Sequence, residues 1–272
     1  MTPDDLSFVA DLVRKHAGVV IRADKGFFIE TRLGSVARRE KSPGVPALLD
    51  QLRRFPDPGL AQQVVEATLM QETSFFRDRL VFEHLRKVVI PELLKSRQGR
   101  LRILSAGCAT GQEAYSLAML ATELAPPGAI EIVGLDFGNR LLEKARAAVY
   151  THFEVQRGLP IRRLLASFEK IDDNWRVRHQ VRQPVQFVEY NLLDDLAPQG
   201  QFDLILCRNV LSSMTAQAAS HIGDALEAAC RADACLVVGA QEALTLPAAF
   251  GDGGAPGVWR RNPAFERDAA WI

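Results

Sequence analysis

Residues 101–113 read LRILSAGCATGQE, and the fold class follows from how this stretch changes character midway. Leu101–Ala106 is an apolar run of strand length. It passes directly into Gly107-Cys108-Ala109-Thr110-Gly111, after which helical periodicity predicts a helix over 113–123. Glycines at the carboxyl end of a strand let the backbone approach a ligand closely, and the helix start that follows favours negative charge. The spacing G-x-x-x-G-x-E differs from the dinucleotide pattern G-x-G-x-x-G, and no G-x-x-x-x-G-K-[ST] for a nucleoside triphosphate occurs.

The alternation continues downstream. Strands are expected over 130–135, 185–190, 202–207 and 236–240, with helices over 140–150 and 216–231. Strands alternating with helices predict an α/β fold, a doubly wound, mostly parallel sheet covered on both faces. The interval 150–185 is too long for a plain connection. It reads as a short helix plus a small antiparallel β insert around 164–184, with Asp172-Asp173-Asn174 as the turn. Upstream of residue 100 the texture is helical throughout. Leu6, Val9, Ala10 and Val13 share one face, as do Leu48, Leu49 and Leu52, and Val64, Val65 and Leu69. Pro43, Pro46, Pro56, Pro58 and Gly59 punctuate the gaps, so four or five short helices form a small all-helical N-terminal domain.

A length of 272 residues suits one large domain with a small companion. Lys plus Arg and Asp plus Glu are 33 each, which disfavours a strongly basic nucleic-acid binder. The balance is uneven along the chain, with 17 basic against 13 acidic residues up to residue 100 and 16 against 20 beyond it. No apolar run approaches the roughly 18–20 residues that span a bilayer, and Asp4, Asp5, Asp11 and Arg14 interrupt any signal-peptide core. The four cysteines form no C-x-x-C pair and have no histidine at ligand spacing. Neither a disulfide framework nor a metal site is expected, and the cytoplasm is the expected compartment.

Several polar residues fall at carboxyl ends of the predicted strands, the edge where such sheets bind ligands. Asp136 ends the second, where doubly wound folds place the acid that accepts ribose hydroxyls. Asn191 follows the third, and Arg208-Asn209 follow the fourth. Each alone fits an ordinary loop, and Gly107 and Gly111 alone fit a tight strand–helix turn. Their convergence on one edge points to an adenosine-type ligand.

These segments resemble the chemotaxis receptor methyltransferases, the CheR family, which methylate glutamate side chains with S-adenosylmethionine. Gln71-Glu72-Thr73-Ser74-Phe75-Phe76-Arg77-Asp78 is similar to the family's N-E-T-x-F-F-R segment. Ser105 to Ser116 is similar to its glycine loop and following helix, and Asn191-Leu192 and Cys207-Arg208-Asn209-Val210 to its later ligand segments. The resemblance implies a helical domain over 1–76 and an S-adenosylmethionine-binding domain over 77–272, a Rossmann-like class I methyltransferase. It implies a cofactor site of Gln71, Thr73, Arg77, Gly107, Glu113, Asp136, Asn191, Leu192, Arg208 and Asn209, with S-adenosylhomocysteine as the product. Glu113 would hold the methionine amino end, Asp136 the ribose, and Asn191 and Leu192 the adenine. Arg32, Arg38, Arg39 and Lys41, close together on one predicted helix, would face acidic chemoreceptor helices; taken alone, they fit a solvated helix face. A monomer is expected.

Methyl transfer to a carboxylate is an in-line displacement. A glutamate with a reference pKa of about 4.3 is already an anion at neutral pH, so no general base is needed. Arg77 is the candidate catalytic group, since a guanidinium can grip a carboxylate through two parallel hydrogen bonds. Too strong a grip would quench the nucleophile, so Arg77 is expected to orient one oxygen and leave the other free. The sequence departs from the family at three points. Ser213 stands where a tyrosine is usual, Gln71 where asparagine is usual, and Arg231-Ala232-Asp233-Ala234 where a Pro/Gly-rich turn is usual. The loss of the phenol leaves open a second reading, a regulatory module that binds S-adenosylmethionine or S-adenosylhomocysteine without efficient catalysis.

Overall fold

The computed structural model describes residues 1–69, 72–239, 242 and 249–262. The chain divides into two compact units. One comprises Met1–Met70 with Ser213–Ala219, the other Gln71–Ser212 with Ser220–Ile272.

The first unit packs helices α1 (Pro3–Ala17), α2 (Gly26–Arg39), α3 (Val45–Arg54) and α4 (Pro58–Thr68). Side-chain caps set the starts of two of them. Thr2 and Asp5 form a reciprocal capping box on α1, and Asp57 accepts the Leu60 N–H on α4. Val9, Val13, Leu33, Leu48, Leu49, Val64 and Val65 are completely buried and form the core. Val19 bridges Met214, which brings the short later segment into this unit. Helix α2 stops at Arg39, and Lys41 lies past its end with a left-handed φ of 54°. The expected cluster on one helix is therefore reduced to Arg32, Arg38 and Arg39.

The second unit opens with α5 (Arg79–His84) and α6 (Ile90–Ser96) and then alternates strands with helices. The succession is β1 (Leu101–Ala106), α7 (Gln112–Leu124), β2 (Ile130–Asp136) and α8 (Asn139–Ala147). Next come β3 (Val149–Thr151), α9 (His152–Gln156), α10 (Ile161–Ser167), β4 (Phe168–Ile171), β5 (Asn174–Val177) and α11 (His179–Arg182). The chain continues through β6 (Val185–Glu189), β7 (Phe202–Cys207), α12 (Ala216–Ala229), β8 (Cys230–Val238), β9 (Phe250–Asp252) and β10 (Val258–Arg261).

A seven-stranded sheet has the order β6-β2-β1-β7-β8-β10-β9. The pairings from β6 to β8 are parallel, and β10 is antiparallel to both neighbours. From β1 the chain winds outward to β2 and β6, then returns to β7 on the other side. The switch point therefore lies between β1 and β7. This is the expected doubly wound, mostly parallel fold. Strands β3, β5 and β4 form a separate antiparallel sheet.

Three expected boundaries are corrected. The helix expected over 140–150 ends at Ala147, because Ala148 adopts φ 54°, and Val149–Thr151 pairs with β5. The helix expected over 216–231 ends at Ala229, and the strand expected over 236–240 begins at Cys230. That early start absorbs Arg231-Ala232-Asp233-Ala234 into β8; of the expected strand, Ala240 lies outside the described residues.

Candidate active site

The carboxyl ends of β2, β1 and β7 are neighbours in the sheet, and the loops leaving them build one site. The loop after β1 is shaped by close contacts. Gly107 has φ 73°, and a Cβ there would lie 2.5 Å from Cγ2 of Val210 in the loop after β7. Only glycine lets these two loops touch. Ala109 is left-handed, with φ 48°, and its N–H donates to Oδ2 of Asp136 at 2.8 Å. The other Asp136 oxygen accepts the Gly138 N–H at 2.9 Å. Burial pushes this carboxyl above the usual aspartate range, while the backbone donors oppose the rise. Each oxygen keeps lone-pair capacity for further donors.

Glu113 stands in the first turn of α7. Its Oε1 accepts from Ser105 Oγ at 2.8 Å and its Oε2 from Arg208 Nη1 at 3.0 Å. Burial raises the Glu113 carboxyl, and the Arg208 guanidinium beside it is the main opposing influence. The Arg208 side chain is only 1% exposed. Its Nη2 donates to the Arg77 carbonyl at 2.9 Å and to Oδ2 of Asp78, while its buried Nε has no partner among the described residues.

The FFR segment is anchored on both sides of its backbone. Phe75 is fully buried, edge-on to Tyr150 at 5.1 Å and to Phe168 at 5.5 Å. Phe76 packs on Phe82 at 5.2 Å under the Arg163 guanidinium, and its N–H donates to Ser116 Oγ at 2.9 Å. With both rings buried, Phe76 and Asp78 take left-handed backbones, φ 49° and 60°, and Arg77 between them stays partly exposed. Strained backbone of this kind persists only where its surroundings over-determine it. Arg77 Nη1 donates to the Glu72 carbonyl at 2.9 Å, and the Glu72 carboxylate accepts from Arg157 at 2.7 Å. Arg77 also contributes a favourable charge at Glu113.

Thr73 is half-buried at the start of this segment, while Gln71 lies outside the described residues. Asn191 follows β6 and turns the chain by accepting the Leu193 N–H at 3.1 Å, and Leu192 beside it is buried. Asn209 is exposed with φ 59°, its N–H bonded to Glu242. Tyr150, on β3 of the small sheet, donates its hydroxyl to the Thr110 carbonyl of the glycine loop at 2.6 Å. Sequence reasoning gave Ser105 and Asp78 no role of their own, although both lie in the quoted segments, and it did not single out Tyr150 or Glu242. Tyr150 is far in sequence from Thr110, as Glu242 is from Asn209 and Ser212.

A family model described as CheR methyltransferase, SAM binding domain, matches residues 71–252, about two thirds of the chain. The chain belongs to the CheR methyltransferase family. Among curated relatives, Chemotaxis protein methyltransferase 1 of Pseudomonas aeruginosa is 34% identical over 250 residues, covering 88% of this chain and 90% of that one. Chemotaxis protein methyltransferase Cher2 of Pseudomonas putida is 32% identical over 240 residues, covering 85% and 87%. A Listeria monocytogenes chemotaxis protein methyltransferase is 28% identical over 254 residues, covering 92% and 95%. Every strand whose end builds this site lies inside the CheR match.

In the helical unit, Arg38 and Arg39 are exposed, and Arg39 reaches Gln63. Arg32 is committed internally. Its guanidinium donates to the Leu69 carbonyl at 2.6 Å and lies 4.3 Å from the centre of the Phe28 ring, so it closes the open end of α4. No helix among the described residues is long and apolar enough to cross a membrane.

Proposed function

We propose that this protein transfers a methyl group from S-adenosylmethionine to glutamate side-chain carboxylates on the cytoplasmic helices of a chemoreceptor. The observation that carries this reading is the pair of carboxylates on the glycine loop. Asp136 is bonded to its middle, and Glu113 stands just after it beside a buried guanidinium. The donor set fits the cofactor. Asp136 retains acceptor capacity for a ribose diol, Glu113 offers carboxyl oxygens for an ammonium group, and Gly107 presents bare backbone. The unpartnered Arg208 Nε adds a buried donor for a carboxylate.

The cofactor supplies an electrophilic sulfonium methyl group. On this reading Asn191 and Leu192 flank the adenine, Arg208 and Asn209 line the methionine end, and Gln71, Thr73 and Arg77 border the site from the FFR segment. Arg77 orients the incoming carboxylate through one oxygen and leaves the other free to attack. No side chain need remove a proton, because the nucleophile is already ionised. Alignment and partial desolvation are what the chain contributes. Exposed Arg38 and Arg39 are the basic groups of α2 available to acidic receptor helices, whereas Arg32 supports α4. The setting proposed is the cytoplasm, where receptor helices of this kind are presented.

Incubation with methyl-labelled S-adenosylmethionine and a receptor cytoplasmic fragment tests the reading. Base-labile label above a heat-killed control is expected, and its absence would overturn the assignment.

A further inference from the structure

Glu242 was not singled out by any motif, yet its carboxylate accepts three backbone N–H groups at this edge of the sheet. Oε2 accepts the Asn209 N–H at 2.8 Å and the Gly239 N–H at 2.8 Å, and Oε1 accepts the Ser212 N–H at 3.1 Å. Two donors come from the loop after β7 and the third from the end of β8. The backbone makes room for this arrangement, since a Cβ on Gly239 would sit 2.7 Å from Glu242 Oε2.

The loop so held is the one that matters to the site. Arg208 precedes Asn209 and carries the guanidinium on Glu113, and Val210 follows and packs on Gly107. Asn209 between them has φ 59°, a conformation that non-glycine residues seldom adopt without support. A carboxylate accepting backbone N–H groups makes charge-assisted hydrogen bonds, stronger than neutral ones. Bonds at both Asn209 and Ser212 fix the loop at its two ends.

We propose that Glu242 is a positioning residue of the transferase site, holding the loop of residues 208–212 in the conformation that presents Arg208 to Glu113 and Val210 to Gly107. It touches neither reacting group and acts through that loop. The role rests on the methyltransferase reading above.

The test compares the full-length wild type with Glu242→Ala and the near-isosteric Glu242→Gln. Calorimetric binding of S-adenosylhomocysteine, the KM for S-adenosylmethionine against kcat, and hydrogen exchange at the Asn209 and Ser212 amides are measured well below the unfolding midpoint. Loss of the carboxylate is expected to weaken product binding about tenfold or more, to raise KM by a similar factor, and to speed exchange at both amides. Glu242→Gln keeps one acceptor oxygen and should fall between, which also guards against a failure of Glu242→Ala to fold. Unchanged binding, KM and exchange in Glu242→Gln and any folded Glu242→Ala, alongside a wild type that binds, would overturn the positioning role alone. A wild type that does not bind S-adenosylhomocysteine would overturn the methyltransferase reading and this role with it.

Discussion

Replacing Arg208 by methionine removes a buried cation and leaves its partner in place, and the structure says how much that should cost. The Glu113 side chain is 14% exposed and the Arg208 side chain 1%, so this pair is shielded from water. Asp78, the other carboxylate partner, is 48% exposed, and a pair of that kind contributes at most about 1 kcal/mol. Breaking a buried pair from one side typically costs about 3–5 kcal/mol, because the remaining charge stays desolvated. Arg208→Met is therefore expected to destabilise the second unit by about 3–5 kcal/mol at neutral pH. Glu113 adds a pH signature. Its folded-state pKa is already above the unfolded one, so its contribution is fully present below the unfolded pKa and is lost as pH rises through the folded pKa. Removing Arg208 takes away the main influence opposing that rise, so the folded pKa climbs further. The deficit of the variant should accordingly be largest where Glu113 is ionised and shrink as pH falls through its raised pKa and the carboxylate takes up a proton. Urea unfolding followed by tryptophan fluorescence reports on this unit, since Trp175 and Trp259 both belong to it. A deficit below about 0.5 kcal/mol, or one independent of pH, would refute the reasoning.

Three other substitutions probe separate parts of the account. Asp136→Asn removes the charge that would accept ribose hydroxyls, and S-adenosylhomocysteine affinity measured by calorimetry should fall about 10- to 100-fold; in the wild type, binding should weaken as pH falls through the raised pKa of Asp136. Gly158→Ala places a Cβ 2.0 Å from the Phe75 carbonyl oxygen at a left-handed φ of 86°, so a loss of about 3 kcal/mol is expected in chemical denaturation, and a wild-type midpoint would count against the close packing. Tyr150→Phe deprives the Thr110 carbonyl of its donor, with an expected cost of about 1–2 kcal/mol and weaker product binding; unaltered affinity would separate the small sheet from the glycine loop.

The parts of this molecule legible in its sequence are those written in consecutive residues. Leu101–Ala106 with the glycine loop, and Asp136 at the end of the next strand, can be read because a strand and its turn are local. Pairings between distant residues leave no such trace. A sequence separation of 95 hides the ion pair of Glu113 and Arg208, and nothing in Tyr150 announces that its hydroxyl holds Thr110. Ala148 ends α8 in a left-handed conformation that alanine disfavours, so propensity carried the expected helix through to residue 150. Arg32 misled in a different way. Its position on α2 suggests a surface charge, but the last carbonyls of α4 need a donor, and Arg32 supplies it. Departures from the family pattern were legible as letters alone. Ser213 gives its backbone carbonyl to the Val20 N–H, a bond that any residue could make.

The central claim is methyl transfer to glutamate carboxylates, and mass spectrometry of the acceptor tests it most directly. A chemoreceptor cytoplasmic fragment is incubated with the full-length protein and S-adenosylmethionine, digested, and its modified side chains located. Methyl esters are expected on glutamates, lost on mild alkaline treatment and absent when those glutamates are replaced by glutamine. Methyl groups on other side chains, or none on a fragment incubated with folded, cofactor-binding protein, would contradict the account.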